Sequence, residues 1–206
     1  MSSLGSYLRQ EGFLATVKRA FLKFAKGQRS STIFLKAGSG VDLSFRGNDV
    51  EFVALSEENR SEFEKIKFWE FVKADDYIDN PYQSVLMLRK NREIVGYVAE
   101  QHEIRRLIHG TGVFVLSIGE GWIGPVYVSS DNRGNGYNRM LLKEQIRTLR
   151  AKGIDTFYTA INSENLPSLR SFMSVGFRQI GEVSANGESL SDSYSVLAEK
   201  FHQEEV

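Results

Sequence analysis

The stretch Arg133-Gly-Asn-Gly136 runs without a break into an amphipathic segment, Tyr137 to Lys152, whose Leu141, Leu142, Ile146 and Leu149 recur at helical spacing. A glycine turn that opens a helix leaves the first backbone N–H groups without intrahelical acceptors, with the positive end of the helix dipole behind them. Such a corner suits a phosphate. Gly134 and Gly136 adopt positive φ cheaply and leave room for a close approach, and Gly153 is placed to end the helix.

This corner falls late in a chain of 206 residues, a length that predicts one well-buried domain with an added helix. Residues 6–26 read as an amphipathic helix through Leu14, Val17, Phe21 and Phe24, with Lys18, Arg19, Lys23 and Lys26 largely on other faces. Ser31 to Lys36 reads as a short strand, Ala37 to Gly40 as a turn and Val50 to Leu55 as a strand. Ser56 opens a helix carrying Phe63, Ile66, Phe68, Trp69, Phe71 and Val72, which Asn80-Pro81 breaks.

Ser84 to Arg89 and Glu93 to His102 form a hairpin around Lys90-Asn-Arg92. Val113 to Ile118 and Trp122 to Val128 are strand-like, and Pro125 inside the second predicts a bulge or local splaying, because its missing N–H interrupts a ladder. Thr156 to Ile161 is the next strand. Asn165 caps a short helix to Ser174, and Phe177 to Val183 and Tyr194 to Phe201 complete the sheet. Helices and hairpins first, then strand, helix, strand, helix, strand, predict a mixed α/β sheet with helices on its faces. We divide the chain into an extension, 1–48, and a main domain, 49–206.

Lys plus Arg and Asp plus Glu both number 26, so no bulk charge points to nucleic acid. The absence of cysteine excludes disulfides, a thiol nucleophile and cysteine-ligated zinc, and we expect no metal. The start of the chain shows no signal-peptide pattern and no apolar run approaches the roughly 20 residues of a membrane span. A cytoplasmic location is compatible.

Arg133-Gly-Asn-Gly136 with Tyr137-Asn138 resembles the Arg/Gln-x-x-Gly-x-Gly/Ala pyrophosphate loop of the GNAT N-acetyltransferase superfamily. About thirty residues on, Asn165-Leu-Pro-Ser168, Phe172 and Gly176-Phe177 resemble its second signature, Asn-x-x-Ser/Ala-x-x-x-Tyr-x-x-x-Gly-Phe. The resemblance covers roughly residues 50–201. Dinucleotide-binding folds are the competitor, but their glycines follow the first strand of a parallel unit.

The resemblance implies a mostly antiparallel central sheet with helices on both faces and a splayed strand pair that holds acetyl-CoA as co-substrate. Backbone groups of Val126 and Val128 are then expected to pair with the pantetheine arm, with Asn162, Asn165 and Phe172 lining the second strand and the helix after it. The loop Arg133, Gly134, Asn135, Gly136, Tyr137 and Asn138 holds the pyrophosphate. Asn138 replaces the family's small final residue, and its amide is a further donor; Asp131 is assigned to solvent or a cap.

The implied reaction is direct attack of a primary amine on the thioester, with a general base to free the amine. Glu120, just ahead of the cofactor strand, is the first candidate, and His102 an alternative. Tyr127 and Tyr158 offer hydroxyls. The signature tyrosine that serves many members as general acid is Phe172 here, so Ser168, Tyr127 or ordered water takes its place, or the thiolate leaves unaided, or the fold binds CoA without turnover. An amino sugar of cell-surface polysaccharide assembly, a protein or peptide amine, and a polyamine all stand as acceptors.

Helix 6–26 lies outside the resemblance. It either packs on the sheet or on a second subunit of a homodimer, or lies peripherally in a lipid headgroup layer at the inner membrane face, with its lysines on anionic phosphates.

Overall fold

The computed structural model describes residues 31–44, 49–66, 72–103, 105–108, 112–184 and 201–202. The expected helix 6–26, and Phe68, Trp69 and Phe71 of the second expected helix, lie outside the described residues.

A seven-stranded sheet is built from β1 (Ser31–Ala37), β2 (Glu51–Ala54), β3 (Gln83–Lys90), β4 (Glu93–His102), β7 (Glu120–Val128), β8 (Thr156–Asn162) and β9 (Arg178–Ser184). Its order is β2-β3-β4-β7-β8-β1-β9, and only β7 with β8 is parallel. The β3–β4 hairpin forms as its alternation predicts, with Asn91 and Arg92 both at positive φ in a two-residue turn. This is the mixed, mostly antiparallel sheet expected from the sequence.

One strand departs from expectation. The sequence predicts Tyr194 to Phe201 as a strand of the central sheet; the place between β8 and β9 there belongs to β1, which pairs with both. Residues 194–200 lie outside the described residues. Phe201–His202 (β10) instead joins β5 (Arg105–Ile108) and β6 (Gly112–Val115) in a separate sheet of order β10-β6-β5. The segment expected as Val113 to Ile118 is thus shorter and belongs to that second sheet. Ser31–Ala37, read as part of the extension, contributes Phe34 and Leu35, each 1% exposed, to the centre of the fold.

Helices α2 (Tyr137–Ala151) and α3 (Leu166–Ser174) cover one face. Leu141, Leu142, Ile146 and Leu149 are fully buried against Leu88, Val98, Ile123, Phe157 and Ile161. Burial of each such side chain stabilises by about 1.5–3 kcal/mol. The N-cap of α3 is Asn165, whose Oδ1 accepts from the Ser168 N–H at 3.3 Å.

The opposite face carries two clusters. Helix α1 (Arg60–Ile66), entered through a 3₁₀ turn at Glu57–Asn59, packs Phe63 on Tyr97 with ring centroids 5.3 Å apart. Further along the sheet, Phe114 of β6 packs against Phe34, Trp122 and Tyr158 at 6.1, 5.2 and 4.9 Å. The second sheet therefore closes the half of this face that α1 leaves open.

Candidate functional site

Strand β7 breaks its ladder in the middle. Its pairing with β4 shifts register between Val98 and Glu100, opposite a cis Gly124–Pro125 peptide. Its pairing with β8 covers only Glu120–Trp122 against Thr156–Tyr158. Beyond that point no ladder joins the two parallel strands, as the proline predicts, and we read the fork between Gly124–Val128 and Thr159–Asn162 as a cleft.

The edge of β7 that faces this cleft is identifiable. The Ser129 N–H donates across to Val95 O of β4 at 2.9 Å. Strand alternation then turns the backbone groups of Tyr127 towards β4, and those of Val126 and Val128 towards β8. The Val128 carbonyl accepts from Arg133 Nε at 3.1 Å, which ties the arginine to the rim of the cleft.

The chain leaves β7 through a 3₁₀ turn, Ser130–Asn132, where Asp131 is exposed and accepts from the Ser130 hydroxyl at 3.0 Å. Gly134 and Gly136 follow at φ +82° and +78°, with open space where a Cβ would stand. Gly136 is the N-cap of α2, and the first turn of the helix carries no acidic side chain. Among the described residues, no backbone or side-chain group accepts from the N–H groups of 134–139. Six donors without acceptors and the positive end of a helix dipole thus lie where the chain leaves β7.

Positive charge surrounds the same corner. Arg133 and Arg139 are exposed. Lys90, at the end of β3, lies 5.5 Å from the centroid of the Tyr137 ring. The neighbouring Tyr137 holds the Lys90 ammonium above the usual lysine range. Sequence reading had given Lys90 only a turn position. Asn138 is half-buried, and its side-chain oxygen is buried without a partner.

The second expected group lies on the far side of the cleft. Asn162 Oδ1 accepts from the Glu164 N–H at 2.9 Å, so this side chain shapes the turn after β8. Ser168 sits in the first turn of α3, with its N–H on the Asn165 cap. Phe172 is 2% exposed, edge-on to Phe177 at 5.0 Å, inside the core beneath α3.

The three proposed catalytic side chains are not brought together. Tyr127 stands on the open part of β7, on the α1 face, with its ring 5.7 Å from that of Tyr97. Glu120 lies at the paired end of β7, six residues before Val126, or roughly 20 Å along an extended strand. There it accepts from the Ser117 N–H at 2.8 Å and from the Tyr158 hydroxyl at 3.1 Å. Burial, and then the neighbouring Glu120 carboxylate, hold the Tyr158 phenol well above its ordinary value.

His102, the alternative base, does not stand alone. Its ring Nδ1 lies 3.1 Å from Glu100 Oε2, and the fully buried Glu100 also accepts from the Ser84 hydroxyl at 2.6 Å. These groups are inside the fold under α2, with Gln145 3.5 Å from the same hydroxyl. A charged residue read as part of an alternating strand gave no sign that it would face inward. Among the described residues, no group of three or more His, Asp or Glu side chains is placed to hold a metal ion, and no helix is long and apolar enough to cross a membrane.

Comparison with known proteins matches the model of the acetyltransferase (GNAT) family over residues 52–177. The chain belongs to that family. No curated protein matches it by sequence. Among solved structures, a GNAT-family protein from Novosphingobium aromaticivorans superposes with a TM-score of 0.56 at 18% identity, over 75% of this chain and 62% of that one. A related N-acetyltransferase from Kribbella flavida gives 0.51 at 12%, over 78% and 59%. The aminoglycoside N-acetyltransferase AAC(6')-Iy in complex with CoA gives 0.53 at 13%, over 66% and 91%. The chain thus spans about three-fifths of the length of the first two, and at these identities the likeness is one of fold.

Proposed function

From that membership, we propose that the protein is an N-acetyltransferase that uses acetyl-CoA and passes its acetyl group directly to a primary amine. One observation carries the reading: the free edge of β7 at Val126–Val128 ends at the unsatisfied N–H groups of 134–139. A ligand with an amide-bearing arm and a pyrophosphate fits both at once. That a solved structure of the same fold holds CoA supports the choice.

Bound acetyl-CoA supplies the acyl group as a thioester, activated for attack. The chain's own residues do the rest. The loop donors hold the pyrophosphate, joined by Arg133, Asn138 and Lys90. Val126 and Val128 align the arm through their backbone groups, and an N–H of the splayed strand meets the charge that develops on the acyl oxygen. Tyr127 faces the acceptor from the α1 side. Glu120 holds Tyr158 at the paired end, and the amine proton passes to water.

Isothermal titration of the folded protein with acetyl-CoA, CoA and dephospho-CoA tests the site. Saturable binding is expected, and its absence would overturn the reading. A second reading, a CoA-binding module without turnover, is favoured by Phe172, which has no proton to give and is buried. Release of CoA in the presence of any amine removes it. Amino sugars of cell-surface polysaccharide, peptide amines and polyamines are the acceptors to compare. A cytoplasmic location with peripheral membrane contact through residues 6–26 is part of the proposal, tested by binding to anionic vesicles.

A further inference from the structure

The pairing of β7 with β8 ends at Trp122 and Tyr158, and Thr159 is the next residue on β8. Its side chain stands in the fork. Thr159 is 3% exposed, and a methyl group added at Gly124, across the gap on β7, would lie 3.6 Å from its hydroxyl oxygen. Among the described residues, none hydrogen-bonds with this hydroxyl. The flanking side chains Ile123, Phe157 and Ile161 belong to the apolar core. A valine would satisfy the strand and the packing equally well.

The hydroxyl oxygen is not one of the fully buried atoms without a partner, so it is reached from the fork and is open to a ligand that enters there. Val128, at the rim, and Gly124, at the fork, are four residues apart, roughly 13 Å of extended strand. An arm anchored by its pyrophosphate at 134–139 and running inward along Val128 and Val126 presents its far end to the fork. On the acetyl-CoA reading above, on which this inference rests, that end carries the sulfur.

We propose that Thr159 is a positioning residue for the sulfur, to which its hydroxyl donates a hydrogen bond that strengthens as the sulfur becomes thiolate. When the amine nitrogen bonds to the acyl carbon and the carbon–sulfur bond breaks, the bonding pair stays on sulfur and the amine's proton goes to water. The Thr159 hydroxyl keeps its own proton and stabilises the anion. This supplies part of what a signature tyrosine gives elsewhere in the family and Phe172 cannot.

The test needs no acceptor. Affinities for CoA and for desulfo-CoA, which lacks the sulfur, are measured on the wild type, Thr159→Val and Thr159→Ser, together with the ionisation of the bound CoA thiol followed by thiolate absorbance across pH. The wild type is expected to bind CoA about tenfold more tightly than desulfo-CoA above the thiol's pKa. Thr159→Val should abolish that preference and raise the pKa of the bound thiol, while Thr159→Ser keeps both and all three proteins bind desulfo-CoA alike. A wild type without the preference, or a valine variant that keeps it, overturns the role of Thr159 while leaving the cofactor site standing. Failure of the folded wild type to bind either compound overturns both.

Discussion

Within the nine residues of β7, the first three and the last three differ in how their polar groups are satisfied. At Glu120–Trp122 the strand pairs with β8, and at Gly121 and Trp122 with β4 as well, and the Glu120 carboxylate accepts from both the Tyr158 hydroxyl and the Ser117 N–H. At Val126–Val128 only the β4 side is paired, and the other edge faces a cleft that ends at six N–H groups without acceptors. Groups satisfied by the chain itself hold the fold together whether or not a ligand is present. Groups that only a ligand can satisfy add nothing to the empty protein, and all their interaction energy is available for binding.

Substitutions at the two ends should therefore separate stability from affinity. The largest effect is expected at the paired end, where Phe114→Ala removes the ring that packs Trp122 and Tyr158. Chemical denaturation should show a loss of about 3–5 kcal/mol, with the affinity of the remaining folded protein for CoA unchanged. A joint fall in affinity would mean that the two ends are coupled.

At the open end, Gly136→Val should weaken CoA binding by about a hundredfold or more, equivalent to about 2.7 kcal/mol. The cost to the fold should be only about 1–2 kcal/mol, for a β-branched residue at positive φ. Wild-type affinity in this variant would remove the pyrophosphate from the loop. Asn165→Ala, which deletes the cap of α3, should cost about 1 kcal/mol in denaturation, and a change in CoA affinity well beyond that would place Asn165 in the site itself.

The smallest effect concerns Glu120 and is visible only in alkali. Tyr158 holds its proton more tightly in the folded protein than in the unfolded chain, where its ordinary value is 10.0. The contribution is therefore fully present below pH 10.0 and is lost as the pH rises towards the folded-state value. Thermal melts should show stability falling above that pH, and Glu120→Gln, by removing one cause of the upward shift, should make the fall shallower. An identical slope would leave burial as the only cause.

Local features of this fold were legible because they depend on adjacent residues. The β3–β4 hairpin, the glycine corner, the Asn165 cap and the disturbance at Pro125 each follow from a few neighbouring side chains. The pairing of β1 was not legible, since alternation in Ser31–Ala37 shows that a strand forms but not which strands flank it. Residue roles that depend on the opposite strand were hidden for the same reason. Thr159 reads as an ordinary strand former, and Glu100 as a polar position, until Gly124 and Ser84 are known to stand beside them.

The place of β1 in the sheet has a consequence for how the protein is made. Its partners on β8 lie 120 to 130 residues later in the chain. At about 5–20 residues per second, the ribosome takes roughly 6–26 s to deliver them. Throughout that interval the apolar side chains of Ile33, Phe34 and Leu35 have neither neighbour to pair with, so the nascent chain carries a sticky segment that chaperones must shield. The β3–β4 hairpin, whose halves emerge almost together, folds under no such delay.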